Sequence, residues 1–110
     1  MVQLAIAPAD LAELCRVMAE HAPEAEGWVY GSRVRGGCHE GSDIDLVLRN
    51  PADLQSPQPR LPALQGALSD SRVAVLVDAL DWANIPDSFK WSIEREHVVL
   101  QAAPPSGDNR

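Results

Sequence analysis

Residues 31–48 read GSRVRGGCHEGSDIDLVL, and this stretch decides how the whole chain is read. Asp43-Ile-Asp-Leu-Val-Leu48 has the apolar, β-branched character of a strand, and Asn50-Pro51 closes it. Residues i and i+2 of a strand face the same way, so Asp43 and Asp45 share a face, roughly 6 to 7 Å apart. Ile44 and Leu46 to Leu48 read as buried, which puts the aspartates at a sheet edge facing a cleft. Two carboxylates on one face repel unless a cation lies between them. Hard oxygen ligands suit Mg²⁺, which commonly takes one or two carboxylates together with phosphate oxygens and water. A DxD pair alone is a weak signal, because it also describes a solvated strand end.

The residues before it add to the signal. Gly27-Trp28-Val29-Tyr30 reads as a strand that stops at Gly31. Four glycines between Gly31 and Ser42 mark a turn or loop with unusual backbone freedom. A glycine directly after a strand lets the backbone approach a ligand, and N–H groups there, with the Ser32 hydroxyl, can hold phosphate oxygens. Arg33 and Arg35 form a local basic patch that can offset triphosphate charge, although either could equally be solvated.

The third element is Asp78, at the end of the apolar run Val73 to Val77. Val73–Leu80 is the strongest strand pattern in the chain, and its continuity predicts a central strand covered on both faces. A carboxylate in such a run needs a partner if buried: a metal, an arginine or N–H donors. Arg49 and Arg72 are the obvious arginines for a purely structural pairing. If instead the Asp78 strand neighbours the Asp43 strand, three carboxylates converge. They could then hold two metals roughly 3.5–4 Å apart, as in-line nucleotidyl displacement requires.

Together GS, RG and SDIDL make the segment resemble the polymerase-beta-like nucleotidyltransferases, and a chain this short most resembles the minimal ones, including the antitoxins paired with HEPN-type toxins. The resemblance implies a mixed sheet flanked by helices, ATP or another NTP as substrate, and two Mg²⁺ ions. By position it implies that Gly31 and Ser32 bind the triphosphate; it fixes no role for Arg33 or Arg35, and Arg33 and Ser42, next to these positions, are expected to help hold the nucleotide. It implies that Asp43, Asp45 and Asp78 bind metal and carry catalysis, and that AMP passes to a toxin tyrosine. Two alternatives stay open: a non-catalytic antitoxin that neutralises its toxin by contact, and a small-molecule nucleotidyltransferase.

The bulk properties agree with one small domain. The chain has 110 residues and is 45% hydrophobic, enough for one core but not for a separate acceptor domain. Residues 1–103 are expected to form the domain, with 104–110 a solvated tail. Nine basic against sixteen acidic residues leave a net charge of −7, without the positive footprint of extended nucleic-acid binding. No apolar run approaches the roughly 20 residues of a membrane span, and the N-terminus lacks signal-peptide character. The expectation is a soluble, cytoplasmic protein.

The rest of the chain reads as an α/β (α+β) pattern: α, β, loop, β, α, β, α, β. Asp10 and Glu13 resemble a capping box opening a helix from about Asp10 to His21, with Leu11, Leu14, Cys15 and Met18 on its inner face. Pro62 to Leu68 reads as a short helix, and Pro86 opens another with Ile85, Phe89 and Ile93 inward. Val98 to Leu100 reads as a last strand. Trp91 then points outward, a position that suits an interface anchor or packing against the tail. His21, His39 and His97 lack a matching zinc ligand set. Cys15 and Cys38 fit either one disulfide or, more simply, two reduced thiols, and Cys38 has no clear base to make it a nucleophile.

Overall fold

The computed structural model describes residues 4–36 and 41–103. Cys38, His39 and the tail 104–110 lie outside these residues. The elements run α1 (Pro8–His21), β1 (Glu26–Tyr30), α2 (Ser32–Arg35), β2 (Ile44–Arg49), α3 (Leu61–Ser69), β3 (Val77–Asp81), α4 (Asp87–Arg95) and β4 (Val98–Gln101). A 3₁₀ turn, Trp82–Asn84, links β3 to α4. Among the described residues the strands form one four-stranded sheet in the order β3-β2-β1-β4. β1 is antiparallel to β2 and β4, while β2 and β3 are parallel. The parallel pair needs a crossover, and α3 supplies it. The result is the small mixed sheet with flanking helices that the sequence predicts.

Strand alternation divides the core in two. Val29, Leu46, Leu48 and Ala79 point to one face and pack with Leu14, Val17 and Met18 of α1 and Leu64 and Leu68 of α3. Trp28, Tyr30, Val47 and Leu80 point to the other and pack with Trp82, Ile85, Phe89 and Ile93. The Arg49 guanidinium sits 4.1 Å from the Trp28 ring centre and 4.8 Å from that of Trp82. Its Nη1 pairs with Glu26 at 2.7 Å. His97 stacks on Trp28 with ring centres 3.8 Å apart. Arg49 is therefore committed to a tryptophan sandwich and not to Asp78.

Several expectations change. Helix α1 begins at Pro8, which suits a first turn because its missing N–H would have no helical partner. Asp10 and Glu13 cap nothing in α1. Their carboxylates accept the N–H groups of Ala74 and Arg72, at 3.1 and 3.0 Å, and hold the approach to β3. Cys15, expected inward, is exposed. The stretch after Gly31 is not all loop, because it starts with the one-turn helix α2.

The largest correction is β3. Only Val77–Asp81 is a strand, and it lies at the sheet edge, not at the centre. The apolar residues 73 and 75 instead pack under the α1–α3 layer as irregular chain. The inner positions belong to β1 and β2. Asp43 and Asp45 accordingly stand at the start of an inner strand, at the sheet's rim rather than on an edge strand.

Candidate active site

Register assembles the site. Asp45 of β2 pairs across the parallel ladder with Asp78 of β3 and across the antiparallel ladder with Tyr30 of β1. Directly opposed strand residues have Cβ atoms about 4.5–5.5 Å apart. The three side chains form a row on the face that α4 partly covers, with Asp45 in the middle. Asp43 lies just before β2, and its charge acts on Asp45. Asp43 and Asp78 are exposed and Asp45 is half-buried. Asp78 thus avoids the burial cost that its apolar neighbours suggested, because an edge strand presents that face to solvent.

The crowding of like charge shows in Asp45. Burial first, then the neighbouring carboxylates of Asp78 and Asp43, push its carboxyl above the ordinary range; Arg35 partly opposes them. The Tyr30 phenol is pushed up to about 12 by burial, Asp45 and Asp78, so it stays a neutral hydroxyl at physiological pH. Among the described residues no three acidic, imidazole or thiol side chains are closed together as a ready-made cation cage. The donor chemistry fits a hard divalent cation: adjacent carboxylates with too little positive charge beside them.

The charge crowding gives a stability prediction. A carboxyl raised in the folded state holds protons that the unfolded chain has lost, so stability falls as pH rises through that window. The cost is absent below the unfolded value near about 4 and full above the raised folded value. Asp45→Asn removes it. In EDTA the variant is expected to melt above the wild type at pH 7 and level with it near pH 4, as read by thermal denaturation. A lower melting temperature for Asp45→Asn at pH 7 would contradict the repulsion.

Gly31 joins β1 to α2 with φ +82° and ψ −151°, a backbone that side-chain-bearing residues rarely adopt. A Cβ there would overlap Asp45 Oδ2 and lie 3.3 Å from Asp45 Cγ. The glycine therefore lets the turn after β1 and the carboxylate row touch. Ser32 follows at the first position of α2, where the opening N–H groups of a helix have no partner within it.

The two arginines of the motif part company. Arg33 is buried, at 7% exposure. Its Nη1 donates to the Ala5 carbonyl at 3.0 Å and its Nη2 to the Ser42 carbonyl, while its own carbonyl accepts the Ala5 N–H at 2.7 Å. It fastens the segment before α1 and the turn before Asp43, and does not form an exposed basic patch with Arg35. Ser42 takes part through its carbonyl. Arg33→Ala leaves these carbonyls without their donor and should cost about 2–3 kcal/mol of stability, measurable by urea denaturation.

Arg35 is exposed and lines a small cleft with Tyr30, Gly31, Phe89 and Ser92. Sequence reading gave no site role to Tyr30, and on the last helix it singled out Trp91 rather than Ser92. Tyr30's place directly before Gly31 was the available signal. The i, i+3 spacing of Ser92 and Arg95 in α4, with Glu96 just past its end, was the corresponding signal there.

The profile of the nucleotidyltransferase domain family matches residues 11–99. The chain is 33% identical over 101 residues to the "Probable protein adenylyltransferase MntA" of Haemophilus influenzae, spanning 90% of this chain and 85% of that one. Its fold is similar to that in a solved structure described as "Crystal structure of the toxin-antitoxin with AMP-PNP". There the TM-score is 0.65 at 18% identity, over 84% of this chain and 73% of the other. No helix among the described residues is long and apolar enough to cross a membrane.

Proposed function

Because the chain belongs to the nucleotidyltransferase domain family, we propose that it transfers AMP from ATP, or NMP from another NTP, to a hydroxyl of a partner protein, as the antitoxin of a HEPN-type toxin–antitoxin pair. The observation that carries the reading is the pairing of Asp45 with Asp78, next to Gly31 and Asp43. The likeness to a protein adenylyltransferase supports a protein acceptor.

In this reading Asp43, Asp45 and Asp78 would hold Mg²⁺, two ions in all. The metal supplies charge neutralisation and Lewis acidity at the triphosphate. Gly31 lets phosphate oxygens approach the backbone, and the Ser32 hydroxyl donates to them. Arg35 offsets phosphate charge. Arg33 and Ser42 act from behind, holding the turn that presents Asp43. The acceptor oxygen bonds to the α-phosphorus as the bond to the bridging oxygen breaks and pyrophosphate leaves. The hydroxyl proton passes to Asp78, which is exposed at the sheet edge where an acceptor can reach it.

The test is transfer of label from α-³²P-ATP with Mg²⁺, with and without the protein encoded by the neighbouring gene. Label on a protein band, lost in the Asp43→Ala/Asp45→Ala variant, is expected. No label from any NTP, with neutralisation of the partner retained, would leave a contact antitoxin. Label on a small molecule alone would move the acceptor out of the protein class.

A further inference from the structure

β3 is an edge strand, and among the described residues no strand pairs with its outer side. The parallel ladder fixes which peptide groups point there. Ile44 pairs with Val77, and its N–H donates to the Leu76 carbonyl at 2.9 Å. The peptide groups of Asp78 and Leu80 therefore face β2, and those of Val77, Ala79 and Asp81 face outward. Among the described residues the outward N–H groups of Val77 and Ala79 have no hydrogen-bond partner. The outward carbonyl of Ala79 accepts Nε2 of Gln65 at 3.1 Å. Gln65 is an exposed residue of α3, so its amide takes the place of a neighbouring strand's N–H with a side chain that can swing away. Leu76, just before β3, is 68% exposed. An open edge with an uncovered apolar residue at its start is a template for a further strand.

We propose that the partner's acceptor segment adds to β3 as a fifth, extended strand and sets a hydroxyl side chain beside Asp78. The proposal rests on the nucleotidyl-transfer reading, and the transfer step is the one written there. A strand at this edge lengthens the row Tyr30, Asp45, Asp78 by one position. Directly opposed residues have Cβ atoms about 4.5–5.5 Å apart. A serine, threonine or tyrosine in register with Asp78 therefore shares its face and stands next to the carboxylate that takes the proton. Charge selects the occupant. Asp43 and Asp78 are exposed on this rim, in a chain of net charge −7. A second copy pairing edge to edge would bring a second set of these carboxylates to the same place, and like charges opposed in a sheet weaken the pairing. Asp78 thus also guards the edge against self-association. A segment with lysine or arginine two residues to either side of the hydroxyl residue carries complementary charge on the same face.

The test is label transfer from α-³²P-ATP with Mg²⁺ and the full chain. The probes are a capped heptapeptide, Val-Lys-Val-Tyr-Val-Lys-Val, and capped tyrosine alone. The peptide KM should be at least about tenfold lower than that of capped tyrosine, since the strand adds several backbone hydrogen bonds. Methyl groups on the alternate peptide amides that face β3 should raise KM about tenfold, and methyl groups on the other alternate set should not. Val77→Pro removes an outward N–H at the first strand position, where proline is tolerated, and should raise the peptide KM about fivefold. Gln65→Ala releases the Ala79 carbonyl and should lower the peptide KM about threefold, a change of sign that damage to α3 would not produce. Equal KM for peptide and capped tyrosine, or equal effects of the two methylated sets, overturns this docking alone. So does label on the neighbouring gene's protein with none on the peptide. No label on any acceptor from any NTP overturns it together with the nucleotidyl-transfer reading.

Discussion

Asp45→Asn and Asp43→Asn are each expected to lower AMP transfer by roughly 10²–10³-fold, because each removes a fixed charge from the place where phosphate charge must be met. Asparagine preserves shape but lowers both metal affinity and the field at the triphosphate. The Asp45 variant carries a second signature. Metal-free Asp45 is crowded by Asp78 and Asp43, so neutralising it should stabilise the apo fold while transfer collapses. Activity and stability then move in opposite directions, which damage to the fold would not produce. Mg²⁺ should raise the melting temperature of the wild type and have little effect on Asp45→Asn. The readouts are label transfer and melting with and without Mg²⁺. Label transfer by Asp45→Asn at the wild-type rate would exclude the carboxylate row as the reaction centre.

Gly31→Ala is the second large effect. Alanine at φ +82° and ψ −151° costs about 1–3 kcal/mol of backbone strain. Its methyl group would also occupy the space of Asp45 Oδ2. Either Asp45 turns aside or Ser32 shifts, and a misplacement of about 1 Å can cost about 10²-fold in rate. Stability and transfer should therefore fall together, unlike in the Asp45 variant. Two other glycines serve as controls. A Cβ on Gly36 meets nothing within 4 Å, although its φ of +106° carries strain. Gly36→Ala should destabilise without striking Asp45. Gly66 is inside α3 with open space around it, and Gly66→Ala should stabilise by about 0.5–1 kcal/mol. Measuring kcat and urea stability for all three variants separates backbone strain from the collision with Asp45. Full activity in Gly31→Ala would show that the glycine–aspartate contact is dispensable.

Much of the site was legible in local pattern. Alternation in residues 43–48 put Asp43 and Asp45 on one face, and the glycine after a strand marked the turn that needs positive φ. These properties belong to a few consecutive residues, so nothing distant had to be known. The same locality explains the error at Val73–Leu80. An apolar run reports that residues are buried but not what buries them, and here half the run packs as irregular chain beneath two helices. Asp10 and Glu13 misled for a similar reason: a carboxylate near a helix start accepts whichever N–H is closest, and the nearest ones came from residues 72 and 74.

Tertiary structure alone decided that Asp78 stands beside Asp45, because a parallel register depends on how the α3 crossover returns the chain. It also decided that Arg33 is buried against two carbonyls while Arg35 faces the cleft, although both belong to one short motif. And it brought Arg95, 60 positions after Arg35 in the sequence, to an adjoining cleft that Arg35 also lines. The chemistry of each group is local and can be read in sequence order. Which groups meet depends on strand order and helix packing, where residues far apart in the chain are held together by the burial of apolar surface that lies mostly outside the site.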